Sequence, residues 1–174
     1  YITALVAGPY SFIHDKYEGK KSIPLGIYCR KSLFEHHDSK EIFLVTKQGF
    51  AYFEEVFGLA YPFEKYDQIA VVDFNFGAME NAGAVTFRED VLVFRSHMPE
   101  KAYLSRANTI LHEMAHMWFG DMVTMFWWDD LWLNESFAEW SSYLALSEST
   151  RFKGAWTEFN SARKNWAYRQ DQLS

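Results

Sequence analysis

His112-Glu113-Met114-Ala115-His116 is the stretch on which the reading of this 174-residue chain turns. It lies in a segment, from Lys101 to Trp118, whose apolar residues Leu104, Ala107, Leu111, Ala115 and Trp118 recur at helical spacing. On a helix, residues four apart sit one turn apart on one face, so both imidazoles can reach a single ion. Gly120 then provides a stop signal. Eighteen residues separate His116 from Glu135, which belongs to a second helical pattern starting near Leu131. Two antiparallel helices would return Glu135 to the histidines. Two neutral imidazoles and one carboxylate are the donor set of a catalytic zinc, with a fourth position left for water. Glu113 stands where a general base for that water belongs. The plainer alternative for the motif alone is a helix with two partly exposed histidines and an unrelated glutamate.

Outward from this helix the pattern divides. From Pro99 onward it is helical, over 100–119, 131–147 and 151–169, with Thr150 as a cap for the last segment. Upstream, 2–7 and 23–30 read as strands and 14–21 as a polar loop. Asp38 or Ser39 caps a helix running to about Phe57, which Gly58 ends. Segments 68–74, 84–87 and 91–94 are further strand candidates. A small mixed sheet followed by helices makes the fold class α+β.

A second motif, Gly77-Ala78-Met79-Glu80-Asn81, precedes the histidine helix by thirty residues. Together, G-A-M-E-N and H-E-x-x-H with a glutamate eighteen residues on resemble the aminopeptidase N-like zinc metallopeptidases, a family that includes epoxide hydrolases. The opening 1–8 looks like that family's junction between an N-terminal β domain and the catalytic domain. The wording of Asn134 to Trp140 looks bacterial. The resemblance implies a thermolysin-like catalytic domain over 9–174 without the family's C-terminal helical domain. It implies one zinc per chain, held by His112, His116 and Glu135, with Glu113 as general base. It also implies that Glu80 binds the free α-amine of a peptide, which makes the enzyme an exopeptidase. Gly77, Ala78, Met79 and Asn81 would complete the substrate-binding strand, and Met79 would contribute to the side-chain pocket.

Two residues near Glu135 invite a supporting role. Glu139 follows it by four residues on the same helical face, where thermolysin-like enzymes use an acid to orient a zinc-bound histidine. Many members of the aminopeptidase family lack that acid, and a surface carboxylate is the alternative. Asn134 is placed to fix the turn that carries Glu135. The family's oxyanion-stabilising tyrosine lies about sixty residues beyond the glutamate ligand. Tyr143 and Tyr168 come too early for that role, so the chain by itself is expected to be weak or inactive. Rival readings are an endopeptidase, an epoxide hydrolase, or a catalytically silent zinc scaffold; Glu80 and Glu113 argue against the first and the last.

Composition narrows the rest. A formal charge of −6 argues against nucleic acid or an anionic membrane as partner, and no apolar run is long enough to span a bilayer. Cys29 is the only cysteine, so no disulfide can close within the chain. That suits a reducing, cytoplasmic setting, with Cys29 a buried small hydrophobe. The start inside an apolar run without methionine suggests a piece of a longer protein. Most of the seven tryptophans are expected in the core, and His14, His36, His37 and His97 in polar surroundings.

Overall fold

The computed structural model describes residues 4–172. Strand β1 (Tyr10–Glu18) turns through Gly19 into β2 (Ser22–Arg30), its antiparallel neighbour. After a 3-10 turn, helix α1 (Ser39–Val56) crosses to β3 (Tyr66–Val71), which pairs parallel with β2. The short β4 (Ala78–Met79) is antiparallel to β5 (Ala84–Arg88), and β5 is parallel to β3. The order β1-β2-β3-β5-β4 places the strand carrying Ala78 and Met79 at an edge. A helical turn α2 (Glu89–Leu92) leads to α3 (Glu100–His116) and α4 (Leu131–Ser149). The remainder is α5 (Ala155–Glu158), a widened π-helical segment Phe159–Lys164, and α6 (Asn165–Asp171). The α+β expectation holds.

Helix α1 forms because its buried residues Ile42, Val45, Thr46, Gly49, Phe50 and Phe53 repeat at three and four. It stops where Gly58 takes φ +72°, a left-handed value that costs glycine no Cβ clash. Asp38 holds the N-cap position, but its side chain makes no cap hydrogen bond. Its carboxylate instead accepts from the buried Arg106 at 2.6 Å. The core joins the sheet to α1 and α3 through Phe50, Phe53, Tyr61, Tyr66 and Trp118, all fully buried. Phe50 meets Tyr61 and Tyr66 edge-on at 4.9 and 5.2 Å, a favourable ring geometry. Cys29 is buried and free, as expected.

Several expectations need correction. Segment 14–21 is mostly β1, not a loop: His14, Lys16 and Glu18 are the outward residues of an alternating strand, and Asp15 turns inward to accept from Lys47 at 2.7 Å. Residues 4–7 are not strand, and the rest of that predicted strand, residues 2 and 3, lies outside the described residues. The apolar run at 91–94 closes α2 instead of forming a strand; Val93 caps that turn through its N–H to the Glu89 carbonyl. Thr150 ends α4, with its hydroxyl donating back to the Leu146 carbonyl, and does not start a helix. Segment 151–169 is not one helix, because its first turn opens at 152–154 and the winding widens at Phe159. The tryptophans are mostly outside the core: Trp127, Trp128, Trp132, Trp140 and Trp166 are exposed, and only Trp118 is fully buried. No described helix is long and apolar enough to cross a membrane.

Candidate metal centre

Helices α3 and α4 run antiparallel, as their contacts show. His116 faces Glu135, His112 faces Glu139, and Asn108 accepts from the Ser142 hydroxyl at 2.9 Å. The central i, i+4 pair therefore meets the first turns of α4. Helix α3 ends just after His116, where Gly120 takes φ +133° and a Cβ on it would lie 3.1 Å from His116 Nδ1. Glycine there lets the chain fold back against the histidine it has just delivered.

The ring nitrogens decide what the site can hold. His116 Nδ1 lies 3.0 Å from the Phe119 carbonyl oxygen. A carbonyl only accepts, so Nδ1 carries the proton, and in the neutral ring Nε2 keeps its lone pair. His112 Nδ1 lies 2.9 Å from Glu139 Oε2, which fixes its ring in the same sense. The two Nε2 atoms face each other across 3.1 Å. Glu135 Oε2 lies 3.4 Å from the first and 3.6 Å from the second. A triangle with those sides has a circumradius of about 2 Å, so a centre at zinc-ligand distances of about 2.0–2.2 Å sits just off its plane. Two lone pairs and a carboxylate oxygen turned toward one point repel unless a proton or a metal cation lies between them. The donor set therefore fits a divalent metal. Among the described residues, His112, His116 and Glu135 are the group that could hold one.

With protein groups alone around them, these side chains set one another's charge. Burial works against a charged His112, but the carboxylates of Glu135 and Glu139 outweigh it and push the imidazole up to about 10. His116 is raised in the same way, burial opposing and Glu135 prevailing. The two imidazoles hold Glu135 far below the usual carboxylate range. Glu113 is buried beside them, and that burial lifts its carboxyl to about 7, against the pull of both histidines.

A cleft of about 680 Å³ is walled by Gly77, Ala78, Met79 and Glu80 on the sheet side and by His112, Glu113, Glu135 and Glu139 on the helix side. Glu80 is buried, with Oε1 3.9 Å from His116 Nδ1. Asn81 is turned away from the cleft: its amide donates to Thr86 Oγ1 at 3.1 Å and steadies the β4–β5 turn. The Asn134 amide donates to Met125 Sδ at 3.2 Å, tying the first turn of α4 to the preceding loop. Tyr143 donates to Glu158, and the cleft wall does not include it.

Two residues were not foreseen. Arg163 reaches Glu139 Oε1 with Nε at 2.8 Å and also lines the cleft. Asp121 packs behind His116, with both carboxylate oxygens buried and no hydrogen-bond partner among the described residues. Burial, reinforced by Glu80, raises it to about 7. Neither residue belongs to a recognisable motif: Arg163 arrives only when the segment after α4 packs back, and Asp121 comes from the turn after α3, its N–H donating to the His116 carbonyl at 3.0 Å.

An α+β domain with two histidines and a glutamate around one centre, and a buried carboxylate beside them, belongs to the metallopeptidase class. Comparison with known families gives the narrower assignment: residues 43–174 match the peptidase family M1 domain, and the chain belongs to that family. It is 58% identical to an aminopeptidase N from Streptomyces lividans over 99% of the chain and 20% of that protein. It is 38% identical to aminopeptidase M1 from Arabidopsis thaliana over 91% of the chain and 18% of that protein. It is 44% identical to a bovine (Bos taurus) glutamyl aminopeptidase over 73% of the chain and 13% of that protein. The chain thus spans a fifth or less of the length of these relatives.

Proposed function

We propose that this chain is the metal-bearing part of a zinc-dependent aminopeptidase that removes N-terminal residues from peptides. The observation that carries this reading is the triangle of His112 Nε2, His116 Nε2 and Glu135 Oε2, with sides of 3.1, 3.4 and 3.6 Å. The names of the aminopeptidase relatives support the reaction class.

In this reading His112, His116 and Glu135 hold the zinc. When bound, the ion supplies a Lewis acid for the scissile carbonyl and acidifies a water molecule. Glu113 receives the proton of the attacking water on its carboxylate and delivers it to the departing amine nitrogen. Its upward-shifted carboxyl suits a group that must both take and give a proton near neutrality. Glu80 holds the substrate ammonium, because a buried carboxylate is stabilised by an opposite charge. The free edge of β4 offers Ala78 and Met79 to an extended peptide backbone, and a Cβ on Gly77 would meet nothing within 4 Å. The ammonium contact at Glu80 then measures one residue from the chain end to the cleaved bond. In this reading the catalytic domain runs over 9–174.

The test is hydrolysis of an aminoacyl chromogenic substrate by the protein that carries this domain, compared with its Glu113→Gln variant and with an N-acetylated substrate. Hydrolysis that vanishes in both comparisons is expected. Equal rates for the variant would overturn the role of Glu113, and equal rates on the blocked substrate would overturn the exopeptidase reading.

A further inference from the structure

We propose that Arg163 is a positioning residue for the metal site, acting through Glu139 on His112. The proposal rests on the reading that His112 holds a metal ion.

Glu139 is shared between two partners. Its Oε2 accepts from His112 Nδ1 at 2.9 Å, and its Oε1 lies 2.8 Å from Arg163 Nε. Oε1 receives no well-aimed hydrogen bond, so the arginine contact is an ion pair whose strength lies in charge more than in direction. A carboxylate gripped at one oxygen can still rotate about its own axis. A cation beside the other oxygen narrows that rotation, and with it the swing of the imidazole the carboxylate holds. His112 Nε2 must hold its corner of the triangle with His116 Nε2 and Glu135 Oε2 for all three to reach one ion. Arg163 therefore sets the aim of a ring it never touches.

Local backbone geometry supports this use. Arg163 lies in the widened segment Phe159–Lys164, between the α-helical turns of α5 and α6. Wide turns of this kind are rare and concentrate at functional sites, because they redirect a side chain that α-helical winding would carry elsewhere. The Tyr143 hydroxyl, which donates to Glu158, also lies beside the guanidinium. The arrangement links the segment Phe159–Lys164 to the C-terminal part of α3 through side chains alone. Arginine suits it, since a guanidinium is weakly hydrated and stays charged when half-buried.

The experiment is a double-substitution cycle read as zinc affinity, measured on the full 174-residue chain by competition with a chromophoric chelator. Arg163→Gln is expected to weaken zinc binding about tenfold and Glu139→Gln by at least as much, within the range usual for residues that orient a ligand. In the Glu139→Gln background, Arg163→Gln should change the affinity by less than about twofold, because its route to the metal is gone. Arg163→Lys keeps the charge and should recover part of the loss. Thermal melts of the zinc-free variants check that each one folds. An arginine effect of equal size in both backgrounds would show a general structural role and overturn the proposal. So would an arginine effect of zero beside a clear Glu139 effect, while the metal reading survived. A chain that takes up no zinc at all would overturn the metal reading itself and the proposal with it.

Discussion

At the scale of single residues, the chemistry depends on where two protons sit. His112 and His116 commit their Nδ1 hydrogens to Glu139 and to the Phe119 carbonyl and turn Nε2 inward. In the metal-free protein, that inward face of His112 attracts a proton up to about pH 10, well above its ordinary value of 6.5. The folded pKa is raised, so this proton stabilises the metal-free fold fully below about pH 6.5, and the contribution is lost as pH rises through 10. A metal ion must displace the same proton. Zinc affinity should therefore climb about tenfold per pH unit for each proton released between about pH 6 and 8. Competition titrations at three pH values would show it, and a flat profile would count against this proton competition. Glu113→Gln should leave zinc affinity within a few-fold while lowering the hydrolysis rate of the parent protein by about 10²–10⁴. The pair of measurements separates a base from a ligand. The residues of this centre were legible because a fixed i, i+4 spacing and a following glutamate are properties of sequence. Arg163 and Asp121 were not legible, since each gains its meaning from a neighbour more than twenty residues away or from burial alone.

At the scale of elements, the site is a meeting of one helix pair and one edge strand. Helices α3 and α4 were readable from their apolar spacing and from the glycine after α3. The boundaries were less so: α3 ends at His116, three residues before its expected end, where the chain turns back at Gly120. Strand β1 is hard to read from sequence because its second half is polar on both faces, with His14, Lys16 and Glu18 outward and Asp15 inward, leaving Tyr17 as the one apolar inward residue there. The β4–β5 turn presents Gly77 to Glu80, and its shape depends on Gly83 at φ +67°. A Cβ on Gly83 would stand 2.9 Å from the Lys65 carbonyl oxygen, a backbone atom that cannot move aside cheaply. Gly83→Ala should destabilise the chain by about 1–3 kcal/mol in a urea titration. In the parent protein it should also raise KM more than it lowers kcat, because the strand that positions substrate shifts while the helices stay. An unchanged midpoint would show that the turn tolerates a side chain there. Glu80→Gln should erase the preference for peptides with a free amine, checked as the ratio of kcat/KM for free and acetylated substrates.

At the scale of the whole molecule, the α+β order of sheet and helices was legible from the change of apolar period along the chain. The location of the aromatic residues was not. Composition points to a tryptophan-rich core, yet the aromatic part of the core is phenylalanine and tyrosine around Trp118, set among aliphatic side chains, and the remaining indoles largely face outward. Hydrophobicity alone cannot say which large side chains a single domain buries. Metal binding and folding should be coupled, because two donors come from α3 and the third from α4, and they assemble only when the two helices pack. Zinc at about one hundred times its Kd should therefore stabilise the folded chain by about 2.7 kcal/mol, and His112→Ala should remove that increment. The most direct measurement is the stoichiometry and coordination of zinc bound to the chain, by metal analysis and X-ray absorption. One ion per chain is expected, with two imidazole nitrogens and a carboxylate oxygen at about 2.0–2.2 Å. A coordination shell without two imidazoles, or uptake that persists when His112 and His116 are both replaced, would contradict the assignment.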